Sequence, residues 1–247
     1  LVVGATQALL KVNDGDVLVI DGASGLVVLE PNAADLRAHH KRVSEARRER
    51  RALNRLRREP SRTLDGVDIK LWANAESRDD VTEAHALGAA GVGLYRTEFL
   101  FMGSNELPDE DMQFRAYRDA VIAMTGRTVT IRTLDLGADK ADKTGLALRD
   151  EPNPALGLRG VRLSLAREGL LRTQLRAMAR ASGYGPLRAL VPMVSGYEEM
   201  RTVRTALDAV MVELRSEGFE VADHLPLGAM IEVPSAAISL PGFIGLC

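Results

Sequence analysis

The chain is 247 residues long, 46% hydrophobic and 27% charged, with a formal net charge of −2. These values suit an ordinary folded domain and give the molecule as a whole no polyanion-binding signal. The single cysteine, Cys247, excludes an internal disulfide and suits a reducing compartment. No run of about 18 apolar residues and no basic-then-apolar leader occurs, so a cytoplasmic protein without a membrane-inserted segment is expected.

In chain order, Leu1-Val-Val-Gly4 reads like the tail of a strand. Phe243-Ile-Gly-Leu-Cys247 reads like the start of one, which predicts a fragment of a longer protein. Asp16-Val-Leu-Val-Ile20 and Leu26-Val-Val-Leu-Glu30 predict strands set off by the Asp14-Gly15 and Asp21-Gly22 turns. Asn32 predicts an N-cap, and the stretch from Ala33 to Arg58, free of Gly and Pro, predicts a long helix that Pro60 ends. Between Arg37 and Arg62 there are 11 Lys or Arg against Glu45, Glu49 and Glu59, a local +8 that leaves −10 for the remainder. Leu36, Val43, Ala46, Leu53 and Leu56 form only a thin apolar stripe. Without interleaved aromatics the helix reads as a solvated linker rather than a nucleic-acid surface.

From Gly66 onward, strands near 69–75, 91–96, 128–134, 188–194 and 227–233 alternate with helices near 78–88, 109–124, 167–181 and 196–216. Alternation of this kind predicts an α/β fold with a parallel sheet, read as a partial (β/α)8 TIM-type barrel. The expected organisation is a β-rich remnant over 1–31, a linker helix over 32–65 and an incomplete barrel over 66–247. Asp109-Glu-Asp and Ser195-Gly-Tyr-Glu-Glu place acids in first helical turns, where they favour the positive helix end.

The chemistry concentrates where apolar strands end in charge. Gly91-Val-Gly-Leu-Tyr runs into Arg96-Thr-Glu-Phe-Leu-Phe-Met102, Thr128-Val-Thr-Ile into Arg132-Thr-Leu-Asp135, and Leu227-Gly-Ala-Met-Ile into Glu232-Val-Pro234. Two arginines and a glutamate at parallel strand ends suggest one anion-and-metal site on a barrel rim. Read singly, each arginine is also compatible with a structural ion pair to Glu98 or Asp135, and Glu232 with a structural pair of its own. His39, His40, His85 and His224 read as surface residues, and Phe99–Phe101 with Met102 as core packing beneath the site.

These segments, with Asn153-Pro-Ala-Leu-Gly-Leu-Arg159 and Leu136-Gly-Ala-Asp-Lys140, occur in order over about 140 residues. Together they resemble Enzyme I of the bacterial sugar phosphotransferase system, the phosphoenolpyruvate–protein phosphotransferases. The resemblance implies phosphoryl transfer from phosphoenolpyruvate (PEP) to an enzyme histidine in the presence of Mg²⁺, and onward to the histidine-containing phosphocarrier protein (HPr). It implies that residues 1–31 end a swivelling phosphohistidine domain and that the full-length protein is a homodimer. It maps phosphate-binding arginines onto Arg96, Arg132 and Arg159, a metal-ligating glutamate onto Glu232, and a lysine near the phosphate onto Lys140. A solvated Lys140 is an equal alternative. The family's Gly-Gly-Asp-Lys and Gly-Trp-Arg stand here as Gly137-Ala-Asp-Lys140 and Gly157-Leu-Arg159. Its Thr-Ser-His acceptor, Gly-Thr-Asn-Asp and Gly-Met-Cys-Gly-Glu motifs do not occur in these 247 residues, so they are expected to be inactive alone, and Cys247 is given no catalytic role. Pyruvate phosphate dikinase and PEP synthase share the Arg-Thr-Glu and Glu-Val-Pro elements and form the rival reading; a non-catalytic binding module is a third.

Overall fold

The computed structural model describes residues 2–6, 10–57, 59–102, 106–137, 152–153 and 155–247. The chain divides into two compact units, Leu1–Pro60 and Ser61–Cys247.

In the first unit, β1 (Leu18–Asp21) and β2 (Leu26–Leu29) form an antiparallel hairpin with Leu18 opposite Leu29. Asp21 Oδ1 accepts the Ala23 and Ser24 N–H groups and so shapes the turn. The Ser24 hydroxyl first, and then these two backbone bonds, hold the Asp21 carboxyl below the usual carboxylate range. Helix α1 (Ala33–Leu56) starts at Asn32 in a reciprocal capping box with Asp35. No residue of α1 is fully buried, and Leu36 and Val43 are half-buried, as its thin stripe predicts. The expected strand at Leu1–Gly4 is not found: residues 2–5 carry no strand.

The second unit is a five-stranded parallel sheet in chain order. Its strands are β3 (Trp72–Ala75), β4 (Gly91–Tyr95), β5 (Val129–Arg132), β6 (Leu187–Val191) and β7 (Leu227–Ala229). Between them run α2 (Arg78–Ala86), the short α3 (Glu98–Met102), α4 (Glu110–Ala123), the short α5 (Val161–Ala166), α6 (Glu168–Ala181) and α7 (Tyr197–Ser216); α8 (Pro234–Phe243) follows β7. This is the expected α/β class, five successive strands in barrel order with no closure among the described residues. Val92, Val129, Ile131, Ala189 and Val191 are buried, as befits parallel strands covered by helices. Gly91 is required by its neighbours, since a Cβ there would lie 2.3 Å from the Trp72 ring. Ser77 and Asp109 cap α2 and α4. On α7, Met200, Val203, Leu207, Val210 and Leu214 recur every three or four residues and are all buried. Helix α4 packs on α6, and α6 on α7.

Three local expectations change. The strand expected from Phe243 is instead the end of α8 followed by a single 3-10 turn, with Phe243 buried in the core. Phe101 is core, but Phe99 and Met102 are 59% and 37% exposed. The segment is a helix, not an extension of β4, so its side chains point in several directions around the axis. The fifth strand stops at Ala229, so Glu232 sits on an exposed loop rather than within an apolar strand.

Candidate functional site

Because the five strands are parallel, their charged termini meet at one rim of the sheet. Arg132 closes β5 and is 8% exposed. Its Nη2 donates to Glu98 Oε1 at 2.9 Å and lies 3.6 Å from Asp135 Oδ2. Glu98 Oε1 also accepts the Asp135 N–H at 3.0 Å, so one buried carboxylate oxygen joins the loops after β4 and β5. Asp135 then receives Arg159: Nε and Nη2 each lie 3.2 Å from its Oδ1, and Nη2 lies 3.2 Å from Oδ2. The cluster thus alternates carboxylate and guanidinium, Glu98–Arg132–Asp135–Arg159. Two donors of Arg132 remain outside it. Among the described residues Nη1 meets the Met230 sulphur, at 4.0 Å, and the buried Nε finds no hydrogen-bond acceptor.

Glu232 reaches the same cluster through the backbone. Its Oε1 accepts the Met193 N–H at 2.7 Å. Met193 has φ 59°, an unusual left-handed conformation for a side chain of its size. It packs against Gly160, also left-handed at φ +55°, where a Cβ would come within 2.8 Å of the Met193 side chain and 3.4 Å of Asp135 Oδ1. The structure therefore links Arg132 directly to Asp135 and through it to Arg159, and Glu232 to them through Met193 and Gly160. Arg96 differs: it follows β4, is partly exposed, and pairs with Glu76 at 2.8 Å at the end of β3. Lys140 lies outside the described residues. Of the four histidines, His40 and His224 are exposed, and His39 and His85 half-buried.

Beneath the rim runs a buried polar line that the sequence reading did not identify. Gln174 of α6 accepts the Leu134 N–H and donates to the Tyr117 hydroxyl, with Thr97 Oγ1 3.4 Å away. Burial raises the hydroxyl pKa of Tyr117 well above its ordinary value, and pushes that of Tyr95 up to about 12. The available signal was a polar residue on an apolar helical face: Gln174 lies between the buried Leu171 and Leu175. Glu76 was also missed, although Trp72-Ala-Asn-Ala-Glu76 repeats the pattern of a strand running into charge. Two cavities, of about 370 and 750 Å³, border α6, and no rim residue lines either.

A charged pair of Arg132 and Arg159 with one carboxylate between them can hold a tetrahedral dianion by forked hydrogen bonds. Among the described residues no group of three or more His, Cys, Asp or Glu could hold a metal by itself. An exposed carboxylate such as Glu232 nonetheless fits Mg²⁺, a hard ion commonly bound by one or two carboxylates with substrate oxygens and water.

The family model of the PEP-utilising enzymes, PEP-binding domain, matches residues 50–245. The phosphoenolpyruvate-protein phosphotransferase of Cupriavidus necator is 46% identical over 244 residues, which cover 98% of this chain and 42% of that protein. The protein of the same name from Geobacillus stearothermophilus is 40% identical over 242 residues, covering 98% and 42%. That of Staphylococcus epidermidis is 41% identical over 236 residues, covering 96% and 41%. The chain thus spans 42% of the length of the first of these relatives.

Proposed function

The chain belongs to the PEP-utilising enzymes, and on that premise we propose that it supplies the PEP-gripping rim of a phosphoenolpyruvate–protein phosphotransferase. The observation that carries this reading is Arg132, buried yet, among the described residues, with no acceptor for Nε and with a sulphur rather than an oxygen facing Nη1. A guanidinium in that state is costly unless an anionic oxygen completes its hydrogen bonds. The phosphoryl group of PEP supplies such oxygens. Arg159, clamped on Asp135, presents a second planar cation to the same anion, and Arg96 a third from the neighbouring strand end. Lys140 would add a further cation near the phosphate.

Phosphoryl transfer runs through a loose transition state with charge spread over the equatorial oxygens, so its catalysis is largely positioning and charge stabilisation. Glu98 and Asp135 serve that end by fixing the orientation of the arginines. Glu232, oriented by the Met193 N–H, would hold Mg²⁺ together with substrate oxygens. The metal, when bound, would neutralise the substrate carboxylate and the charge developing on the enolate.

The wider reading is phosphoryl transfer to a histidine of a swivelling domain ending within residues 1–31, then to HPr, in cytoplasmic sugar uptake by a homodimer. Residues 32–65 would link that domain to the PEP-binding barrel begun at 66. The names of the relatives favour it over the ATP-linked dikinase and synthase. The test is pyruvate release from PEP by the full-length enzyme. Arg132→Lys keeps the charge but loses the fork, and should lower turnover by more than about tenfold, roughly 1.4 kcal/mol. Wild-type turnover in Arg132→Lys would remove the residue from the grip, and pyruvate release that requires AMP and forms ATP would favour the rival enzymes. The 247 residues alone should release no pyruvate.

A further inference from the structure

We propose that Gln174 is a positioning residue, one that sets the separation of the two strand ends that carry Glu98 on one side and Arg132 and Asp135 on the other. The proposal rests on the reading of that rim as the grip on PEP. Gln174 comes from the helical layer rather than from a strand end and is 1% exposed. A buried primary amide on an apolar helix face is costly unless it is hydrogen-bonded. Here both ends are bonded. Oε1 accepts the Leu134 N–H at 2.8 Å, and Nε2 donates to the Tyr117 hydroxyl at 3.0 Å and to Thr97 Oγ1 at 3.4 Å.

The Leu134 N–H fixes which way the amide faces, because only its oxygen can accept. Every other proton then has one place to go. Tyr117 donates to Gln113 Oε1 at 3.0 Å, and Gln113 Nε2 donates to the Pro108 carbonyl at 2.9 Å. Thr97 Oγ1 donates to the Arg132 carbonyl at 3.1 Å. One side chain therefore touches the loop after β4 at Thr97, beside Arg96 and Glu98, and the loop after β5 at Leu134, beside Asp135. Glu98 ties the same two loops at the rim, through Arg132 Nη2 and the Asp135 N–H. Two ties at different depths fix the tilt of the loops as well as their distance. With the deep tie gone, the arginine forks stay charged and paired but lose their aim. A misplacement of about 1 Å at a reacting centre can cost about a hundredfold in rate.

The experiment is steady-state pyruvate release from PEP in the full-length enzyme, with HPr in excess to accept the phosphoryl group and thermal unfolding recorded for each variant. Gln174→Leu should lower kcat about tenfold while changing KM by less than about threefold, in protein that still unfolds cooperatively. Gln174→Glu adds a readout that a merely structural residue would not give. Its protonated carboxyl offers one acceptor and one of the amide's two donors, so kcat should recover in part as pH falls and a new ionisation should enter the pH profile. If Gln174→Leu does not fold, Thr97→Val, which deletes only the bridging hydroxyl, carries the same kcat expectation. Wild-type kcat in a folded variant, or a loss carried wholly by KM, overturns the proposal. Arg132→Lys run alongside separates the two failures. If it too is wild type, the grip reading falls and this proposal with it. If it is impaired while Gln174→Leu and Thr97→Val are not, only the positioning role falls.

Discussion

Arg132 shows how one side chain serves both fold and site. Its ion pair with Glu98 is almost dry on both sides, with side-chain exposures of 10% and 5%. Removing one partner of such a pair leaves the other charge buried and costs roughly 3–5 kcal/mol. Arg132→Ala is therefore expected to lower the unfolding free energy of the 247-residue chain by about that much in urea titration. Glu98→Gln, which keeps the accepting oxygen, should cost clearly less. Gly160 is the second residue with a sharp expectation. At φ +55°, with Met193 2.8 Å from any Cβ, Gly160→Ala should destabilise by about 1 kcal/mol or more and displace Arg159 from Asp135. Thermal unfolding checks the first effect and calorimetric titration of the full-length enzyme with PEP the second; unchanged PEP affinity would detach Arg159 from the grip.

At the scale of elements, α4, α6 and α7 are laced together by charge. Arg176 bonds Glu110 at 2.6 Å, Glu213 at 3.1 Å and Glu217 at 2.6 Å, and Arg180 bonds Glu110 and Asp111, both at 2.7 Å. The guanidinium of Arg176 holds the Glu217 carboxyl below its ordinary pKa, and that of Arg180 does the same for Asp111. A carboxyl depressed in the folded state adds stability above its unfolded pKa, near pH 4, and loses it as pH falls through the lower folded value. The melting temperature should thus fall as pH drops below about 4, and Glu217→Gln should flatten part of that fall. The helices and strand order were legible because Val, Ile and Leu runs alternate with periodic stretches such as 196–216. The short elements were not. Glu98–Met102 reads as apolar sequence continuing a strand, and α8 holds an internal Pro241 that disguises a helix. The charged strand ends pointed to Arg96, Arg132 and Glu232, and the resemblance alone to Arg159, but their pairing depends on strand neighbours, which give Arg96 to Glu76. Gln174 was visible as a polar residue on an apolar helix face, but its partners were not, because they lie 40, 57 and 77 residues away in sequence.

For the molecule as a whole, the parallel sheet presents two margins. Among the described residues no strand pairs the outer edge of β3 or of β7. Unpaired edge groups template further strands unless charge, proline or a covering element blocks them. Near β3, Val67, Ile69 and Leu71 are all exposed, the last by 62%, and Ile231 and Ile238 are exposed after β7. Apolar surface beside an open edge favours association in the micromolar to millimolar range. Sedimentation velocity on the 247-residue chain should accordingly show a mean mass that rises with concentration. Leu71 directly precedes β3 and its side chain is solvent-facing, so Leu71→Lys adds a charge at that margin without opening the core. It should shift the distribution toward monomer while leaving the melting temperature of dilute protein unchanged. A wild-type chain that stays monomeric throughout that range would mean that the β3 margin is already covered, and Leu71→Lys would then have no effect on mass.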